Sequence, residues 1–531
     1  MSGFSVTRRQ ALALSSGGLA TLATPAWARH ALLDDGLAAK ADAVVAAFME
    51  KFETPGIGVA VVRPGVEPFL KGYGVRTMGQ AAPVDVHTRF GIASNSKAFT
   101  AAALAMLVDA GKLDWEDPVT KHIPEFRMYD PAVTAMMTVR DLLVHRSGLP
   151  LGAGDLMFFP ASSHVPEDAL TALPYLKPAR GFRAGYDYDN ILYIVAGLLI
   201  ARVSGERWED FVSTRLLRPL GMADAVPSRD MLDTPNVAGR HARLGPPVRG
   251  MGAMEVVQPD ESVMMNAAGG IQASVSDIAH WLSAQMAFGV LPDGERLWSR
   301  EQAMEMWTPQ TIIGASNGPT PEYPARPVTT TYALGWFCQD YRGERLIQHS
   351  GGLSGQVTQT AMLPGRGIGV AVFSNTEDGV SAGIRNALLD HLIGAPAFDW
   401  VNWLDTRVAS YQQQSLAAIS GGIDTAPEGG PSLPLSAYAG RYRDPWYGDI
   451  VVSEKDGGLF IDFTPTPVFK SPLTPWGPDA FRTNFAKDAG EDAVVTFTVA
   501  DGKVTGVTMK PLSPLADFSY DYQHLDFAPV Q

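Results

Sequence analysis

Ser94 and Lys97 are the residues whose types and spacing speak most directly of chemistry. They stand in the stretch "FGIASNSKAFTAAALAMLVDAGKLD", residues 90–114. A helix beginning near Ser94 places Phe99, Ala103, Leu104, Leu107 and Val108 on one buried stripe. Gly111 then falls where a helix-ending glycine is expected. Residues three apart on a helix share a face, and Ser94 lies at the end where backbone N–H groups are unpaired. A hydroxyl, an amine and free amide donors in one place can make a nucleophile, its base and half of an oxyanion-stabilising site. Taken alone, the same residues read as an N-capping serine followed by a solvated lysine. S-x-x-K recurs by chance about once in a chain of this size.

The whole chain narrows the choice. At 531 residues it is long enough for two or three domains, with apolar content and charge typical of a soluble globular protein. A net charge of −14 with dispersed Lys and Arg argues against nucleic acid as a partner. The most apolar internal run, "ILYIVAGLLIARV" (191–203), is too short for a membrane span and meets Arg202. Cys338 is the only cysteine, so an intramolecular disulfide is impossible. The ten histidines are scattered without H-E-x-x-H or paired spacing, so nothing points to a metal, and serine-nucleophile chemistry of the kind above requires no metal or organic cofactor. The N-terminus is different: Arg8 and Arg9 precede a Gly/Ala/Ser/Thr-rich apolar run that ends in Ala26-Trp27-Ala28. This resembles a twin-arginine export signal over residues 1–28 and predicts a periplasmic address, although Ala11 and Ala13 depart from the usual pattern.

Elements that would position the pair follow from the hydrophobic pattern. Residues 57–74 read as two strands around an Arg-Pro-Gly turn. Helical patterns follow the one at Ser94 at 139–145, 191–203, 207–216, 276–288 and 300–307. Strands return at 332–337, 344–349 and 357–374, and helices at 381–393 and 398–418. Strands at both ends with helices between predict an α+β domain over residues 30–395: an antiparallel sheet flanked by helices, with an all-helical insertion. Residues 396–435 read as a helix and a Gly/Pro-rich linker. Residues 436–531 alternate apolar and polar side chains around Asp456-Gly457 and Asp501-Gly502 turns, which predicts a small antiparallel β-barrel or sandwich.

Three later segments give the opening stretch its meaning: Tyr188-Asp189-Asn190 directly before a helix, "LLVHRSGLP" (142–150), and "ERLIQHSGGLSGQ" running into His349-Ser350-Gly351-Gly352. With Ser94-Asn95-Ser96-Lys97 as S-x-x-K, Tyr188 to Asn190 as Y-x-N and His349 to Gly351 as H-x-G, residues 40–395 resemble the serine β-lactamase and penicillin-binding-protein superfamily. Within it the match is to the class C β-lactamase and D-alanyl-D-alanine carboxypeptidase group. The segment from Tyr438 onward resembles the lipocalin-like domain appended to several of its hydrolases.

The resemblance implies Ser94 as nucleophile and Lys97 with Tyr188 jointly as base, since a serine hydroxyl is a poor nucleophile until a base takes its proton. It implies Asn190 as a partner of substrate or of Lys97, and His349 as a binder of a substrate carbonyl or carboxylate or an aid to proton transfer. Gly351 and Gly352 are implied in substrate binding, with the Ser94 and Gly352 amides receiving the carbonyl oxygen. His145, Tyr332 and Trp336 read as structural. Asp187 and Asp189 read as solvated loop charges, with attraction of a substrate ammonium as the lesser alternative.

His349 stands where strong penicillin-hydrolysing members carry the lysine of K-T-G, which argues against efficient antibiotic hydrolysis. The expectation is therefore a periplasmic serine peptidase acting on short or unusual peptides with D- or non-protein residues, such as linearised cyclic peptides. A carboxylesterase or weak β-lactamase is the enzymatic alternative, and a penicillin-binding receptor that does not turn over is the non-enzymatic one. Small peptide, amide or ester substrates are the expected partners, and the C-terminal domain is a candidate surface for homo-oligomers.

Overall fold

Alternation along Gly56–Arg63 (β1) sends side chains into two separate cores. Ile57, Val59 and Val61 join one apolar cluster, whereas Ala60 and Val62 join the other. The computed structural model describes residues 36–420, 426–487 and 489–530; the export signal expected over 1–28 lies outside them. β1 forms a hairpin with Val66–Gly74 (β2). It then pairs with a strand from the far end of the domain, Ile57 opposite Ser374 through Val62 opposite Gly369.

The other strands of the main sheet are Thr311–Ala315 (β3), Thr329–Tyr332 (β4), Phe337–Tyr341 (β5), Glu344–Leu353 (β6), Gln356–Leu363 (β7) and Ile368–Ser374 (β8). Together they form one antiparallel sheet in the order β2-β1-β8-β7-β6-β5-β4-β3. The sheet is thus built from both ends of the domain, as the sequence pattern predicts. Arg240–Arg243 pairs with Met254–Val257 as a separate ribbon, so the insertion is not all-helical, contrary to expectation. Helices Leu37–Phe52 (α1) and Val380–Ile393 (α5) contribute buried residues to one cluster. Ser96–Asp109 (α2), Ile191–Ser204 (α3) and Val275–Met286 (α4) contribute to the other.

α2 is buried well beyond the expected stripe. Ala98, Ala101, Ala102 and Ala105 are covered along with Phe99, Ala103, Leu104 and Leu107, while Val108 is only half-buried. Small side chains let neighbours approach closely, and Phe99 stacks on Trp281 of α4 with ring centroids 3.8 Å apart. Two local expectations are corrected. Residues 139–145 hold only one short helical turn, Arg140–Leu142. Residues 332–337 are not one strand: only the end residues belong to β4 and β5, and 333–336 form the buried turn between them, because Gly335 takes φ +76° against Ala98, where a Cβ would lie 2.9 Å from the Ala98 backbone.

A long helix, Trp400–Ile419 (α6), leads toward the second domain. There eight strands, from Gly440–Asp444 to Asp526–Pro529, close into an antiparallel barrel. Both predicted turns are present, with positive φ at Asp456 and Gly457 and at Asp501 and Gly502, as tight hairpins demand. Aromatic side chains including Tyr442, Tyr447, Phe463, Phe497 and Phe527 occupy its core, in the same continuous cluster as the α2 and α3 side of the first domain. Among the described residues no helix is long and apolar enough to cross a membrane.

Phe48 ties α1 to the sheet domain. It is fully buried, and its ring sits where a Cβ on Gly383 of α5 would come within 2.5 Å. Phe48→Ala should lower the unfolding free energy by about 3–5 kcal/mol. The effect should be read as a fall in urea midpoint at constant m-value.

Candidate active site

The turn that carries Ser94 is clamped from behind. Ala93–Asn95 form a single tight turn entering α2, and Ala93 is held at φ +49°, a region that costs a non-glycine residue about 1–3 kcal/mol. Asn95 fixes the turn to the sheet: its Nδ2 donates to Thr358 Oγ1 (2.9 Å) and its Oδ1 accepts from Thr360 Oγ1 (2.6 Å) on β7. Gly351 of β6 completes the clamp, since a Cβ there would lie 2.1 Å from the Ile92 carbonyl oxygen. Ser94 remains half-buried, while Asn95, Ser96 and Lys97 are buried.

Lys97 Nζ donates to three acceptors: Asn190 Oδ1 (2.7 Å), the Ala268 carbonyl (2.9 Å) and Ser94 Oγ (3.1 Å). Burial pulls its pKa down from 10.5 to about 7, against the opposing pull of the Asp155 and Asp189 carboxylates. Asn190 presents its oxygen to Lys97 because its Nδ2 donates to both oxygens of buried Asp155, at 3.2 and 3.0 Å. A neutral lysine has two N–H bonds left. The Asn190 and Ala268 oxygens can only accept, so they occupy those two and leave the lone pair toward Ser94. The arrangement can therefore take a proton from the serine.

Tyr188 packs over the same amine, with Nζ 4.8 Å from its ring centroid, and its hydroxyl lies on the Ser94 side. Burial holds the phenol well above its ordinary pKa, with neighbouring Ser94 opposing, so near neutral pH it is a hydroxyl rather than a phenolate. His145 lies beneath it, ring centroids 4.2 Å apart, and is structural as expected. The Asp189 N–H donates to its Nδ1 (3.2 Å), and burial depresses its pKa well below 6.5.

The two loop acids are not solvated charges. Asp189 is fully buried, accepts from Ser147 Oγ (3.2 Å) and is pushed up by burial to about 7. Asp187 is half-buried and paired with Arg180 at 2.5 Å. Both acids face protein rather than open water. Neither stands free to receive a substrate ammonium.

His349 also differs from expectation. It is buried, its Nδ1 is 2.6 Å from the Ser350 carbonyl and its Nε2 is 2.9 Å from Tyr332 Oη. A carbonyl can only accept, so Nδ1 carries the proton and Nε2 accepts from the tyrosine. Burial, then the nearby Lys97 charge, lowers the pKa to about 3. Both nitrogens are thus engaged in a neutral ring that has no free group for a substrate carboxylate. Gly351, expected in substrate binding, is buried behind Ser94. Gly352 is exposed, and a Cβ there would meet open space.

Asp155, the Ala268 carbonyl and Tyr193 were not legible as site residues. Tyr193 Oη donates to the Leu143 carbonyl (2.7 Å), and its ring lies 5.2 Å from Lys97 Nζ. Its place three residues beyond Asn190, on the first turn of α3, was the one available signal.

Residues 41–395 match the Beta-lactamase family, and residues 424–529 match a domain of unknown function, DUF3471. Unguisins hydrolase ungD of Aspergillus violaceofuscus (strain CBS 115571) is 30% identical over 442 residues, covering 77% of this chain and 76% of the relative. Protein flp of Staphylococcus aureus (strain COL) is 25% identical over 338 residues, covering 63% and 62%. Two solved structures share the fold. D-amino acid amidase from Ochrobactrum anthropi SV3, complexed with L-phenylalanine amide, has a TM-score of 0.54 at 22% identity, over 67% of this chain and 99% of that one. A class C β-lactamase has a TM-score of 0.54 at 20% identity, over 69% and 98%. With the family match running through the sheet, the helices and the Ser94–Lys97 pair, the chain belongs to the β-lactamase family and is a serine hydrolase.

Proposed function

We propose that this hydrolase is a peptidase for short or unusual peptides containing D- or non-protein residues, such as linearised cyclic peptides, and that it works through an acyl-enzyme on Ser94. The observation that carries the mechanism is the Lys97 amine, buried, lowered to about 7 and left with its lone pair toward Ser94 Oγ. Ser94 Oγ attacks the scissile carbonyl as Lys97 takes its proton. The proton passes to the leaving amine through the Tyr188 hydroxyl, and the C–N bond breaks. Water then attacks the ester carbonyl, Lys97 and Tyr188 take its proton, and the bond between the acyl carbon and Ser94 Oγ breaks with the proton returned to Oγ. The backbone N–H groups of Ser94 and Gly352 hold the oxyanion, at about 2.7–4 kcal/mol of transition-state stabilisation per donor.

Two observations support a peptide over a β-lactam substrate. Neutral His349 supplies no fixed charge for the antibiotic's carboxylate. A relative at 30% identity over most of both chains is named a hydrolase of unguisins. Export to the periplasm is also part of the proposal and is supported by the Arg8-Arg9 stretch alone.

Incubation with a mixed library of short L- and D-peptides and a simple ester, beside Ser94→Ala, should give peptide products by mass spectrometry that vanish in the variant. Cleavage of the ester alone would favour an esterase, and stable acylation without products a penicillin-binding receptor. The neutral amine is the working base, so kcat/KM should rise with pH through about 7 and fall below it, as a stopped-flow pH profile would read. Lys97→Arg keeps the charge at all accessible pH and should lose about 10²–10⁴-fold.

A further inference from the structure

We propose that the C-terminal barrel completes the active site: Ser519 and Asp521 are positioning residues that fix Asp155, and through it the Asn190 amide and the Lys97 amine. The inference rests on the reading of Ser94 and Lys97 given above. Both residues lie in the segment joining two barrel strands, Lys503–Pro511 and Asp526–Pro529. This segment leaves the barrel and grips the loop 152–157 of the first domain at three points.

Phe518 fills the space beside Gly152, where a Cβ would meet its ring at 2.6 Å and its carbonyl oxygen at 2.7 Å. Asp521 is fully buried and accepts from the backbone N–H groups of Gly154 (2.8 Å) and Leu156 (3.1 Å), one on each carboxylate oxygen. Ser519 Oγ donates to Asp155 Oδ2 (2.9 Å) between them. Two bonds then run from this loop to the site. Gly152 N–H donates to the Tyr188 carbonyl (2.9 Å), and the Asp155 carboxyl receives Asn190 Nδ2.

The second bond decides the chemistry. An amide side chain can be turned over with no change of shape, and Asp155 selects the orientation that presents oxygen to Lys97. If the amide turned, its NH₂ would face the amine, two donors would oppose each other, and the lone pair would no longer be directed at Ser94. Burial first, and then the Asp521 charge, raises the Asp155 pKa well above the ordinary range, while the bonds from Ser519 and Asn190 hold it down. The barrel thus supplies two of the groups that act on this acid, Asp521 raising its pKa and Ser519 lowering it. Other titratable groups facing this network are Asp189, His145, His349, Tyr188 and Tyr193 around Lys97, and His524, whose Nδ1 lies 3.1 Å from Asp521.

The test uses full-length Ser519→Ala, Ser519→Thr and Asp521→Asn with a peptide or ester the wild type cleaves. It reads the kcat/KM pH profile, the thermal midpoint, and labelling of Ser94 by a fluorophosphonate, located by mass spectrometry. Ser519→Ala should lower kcat by about ten- to a hundredfold with KM little changed and the thermal midpoint kept. It should also displace the pH inflection from its wild-type position. Ser519→Thr, which keeps the hydroxyl, should restore both. Ser519→Ala removes only one hydroxyl, so it decides the matter even where Asp521→Asn folds poorly. A wild-type rate and inflection in Ser519→Ala, with Ser94 labelled normally, would overturn the positioning role alone. Wild-type protein unlabelled at Ser94 would instead overturn the catalytic reading beneath it.

Discussion

Keeping a lysine amine dry beside a serine is the constraint on which the rest depends. Solvated, Lys97 would hold its proton at any physiological pH and could accept none from Ser94. Burial removes that stability of the ammonium, and nearby Asp155 and Asp189 keep the shift from going further. The balance is struck near 7, where a proton acceptor is most useful. Directional control comes from two oxygens that can only accept, on Asn190 and Ala268.

Much of the architecture serves this one amine. α2 is alanine-rich and covered on nearly all sides, so Lys97, in its first turn, has little access to water. The strained Ala93, the Asn95 clamp on β7 and the missing side chain at Gly351 hold Ser94 at the helix entrance. The rings of Tyr188 and Tyr193 close over Nζ, and His145 supports Tyr188 from below. His349 belongs to this supporting layer, its two nitrogens spent on Ser350 and Tyr332.

The sequence made visible those residues whose type and local spacing carry the signal. Ser94 and Lys97 share a helix face, and Tyr188 with Asn190 precedes a strongly apolar helix, so motif and pattern agreed there. The sheet assembled from both termini was legible for the same reason, and so were the Asp-Gly turns of the barrel. Ala268 was not, because a backbone carbonyl acts without regard to residue type. Asp155 in "GAGDLM" looks like any loop acid until the fold brings to it Asn190, from a later segment of the same domain, and Ser519, from the C-terminal barrel. Asp189 was misjudged because alternation says which way a side chain points but not whether water or protein awaits it there. At 332–337 a glycine turn and a buried tryptophan imitated an apolar strand.

The most direct test is to titrate the Lys97 amine itself. Wild-type protein labelled with ¹³Cε-lysine should show by NMR one lysine titrating near pH 7 while the others titrate near 10.5, its resonance assigned by its loss in Lys97→Arg. Were every lysine, Lys97 included, to titrate near 10.5, the amine would be a permanent ammonium at neutral pH, and its role as the base for Ser94 would be contradicted.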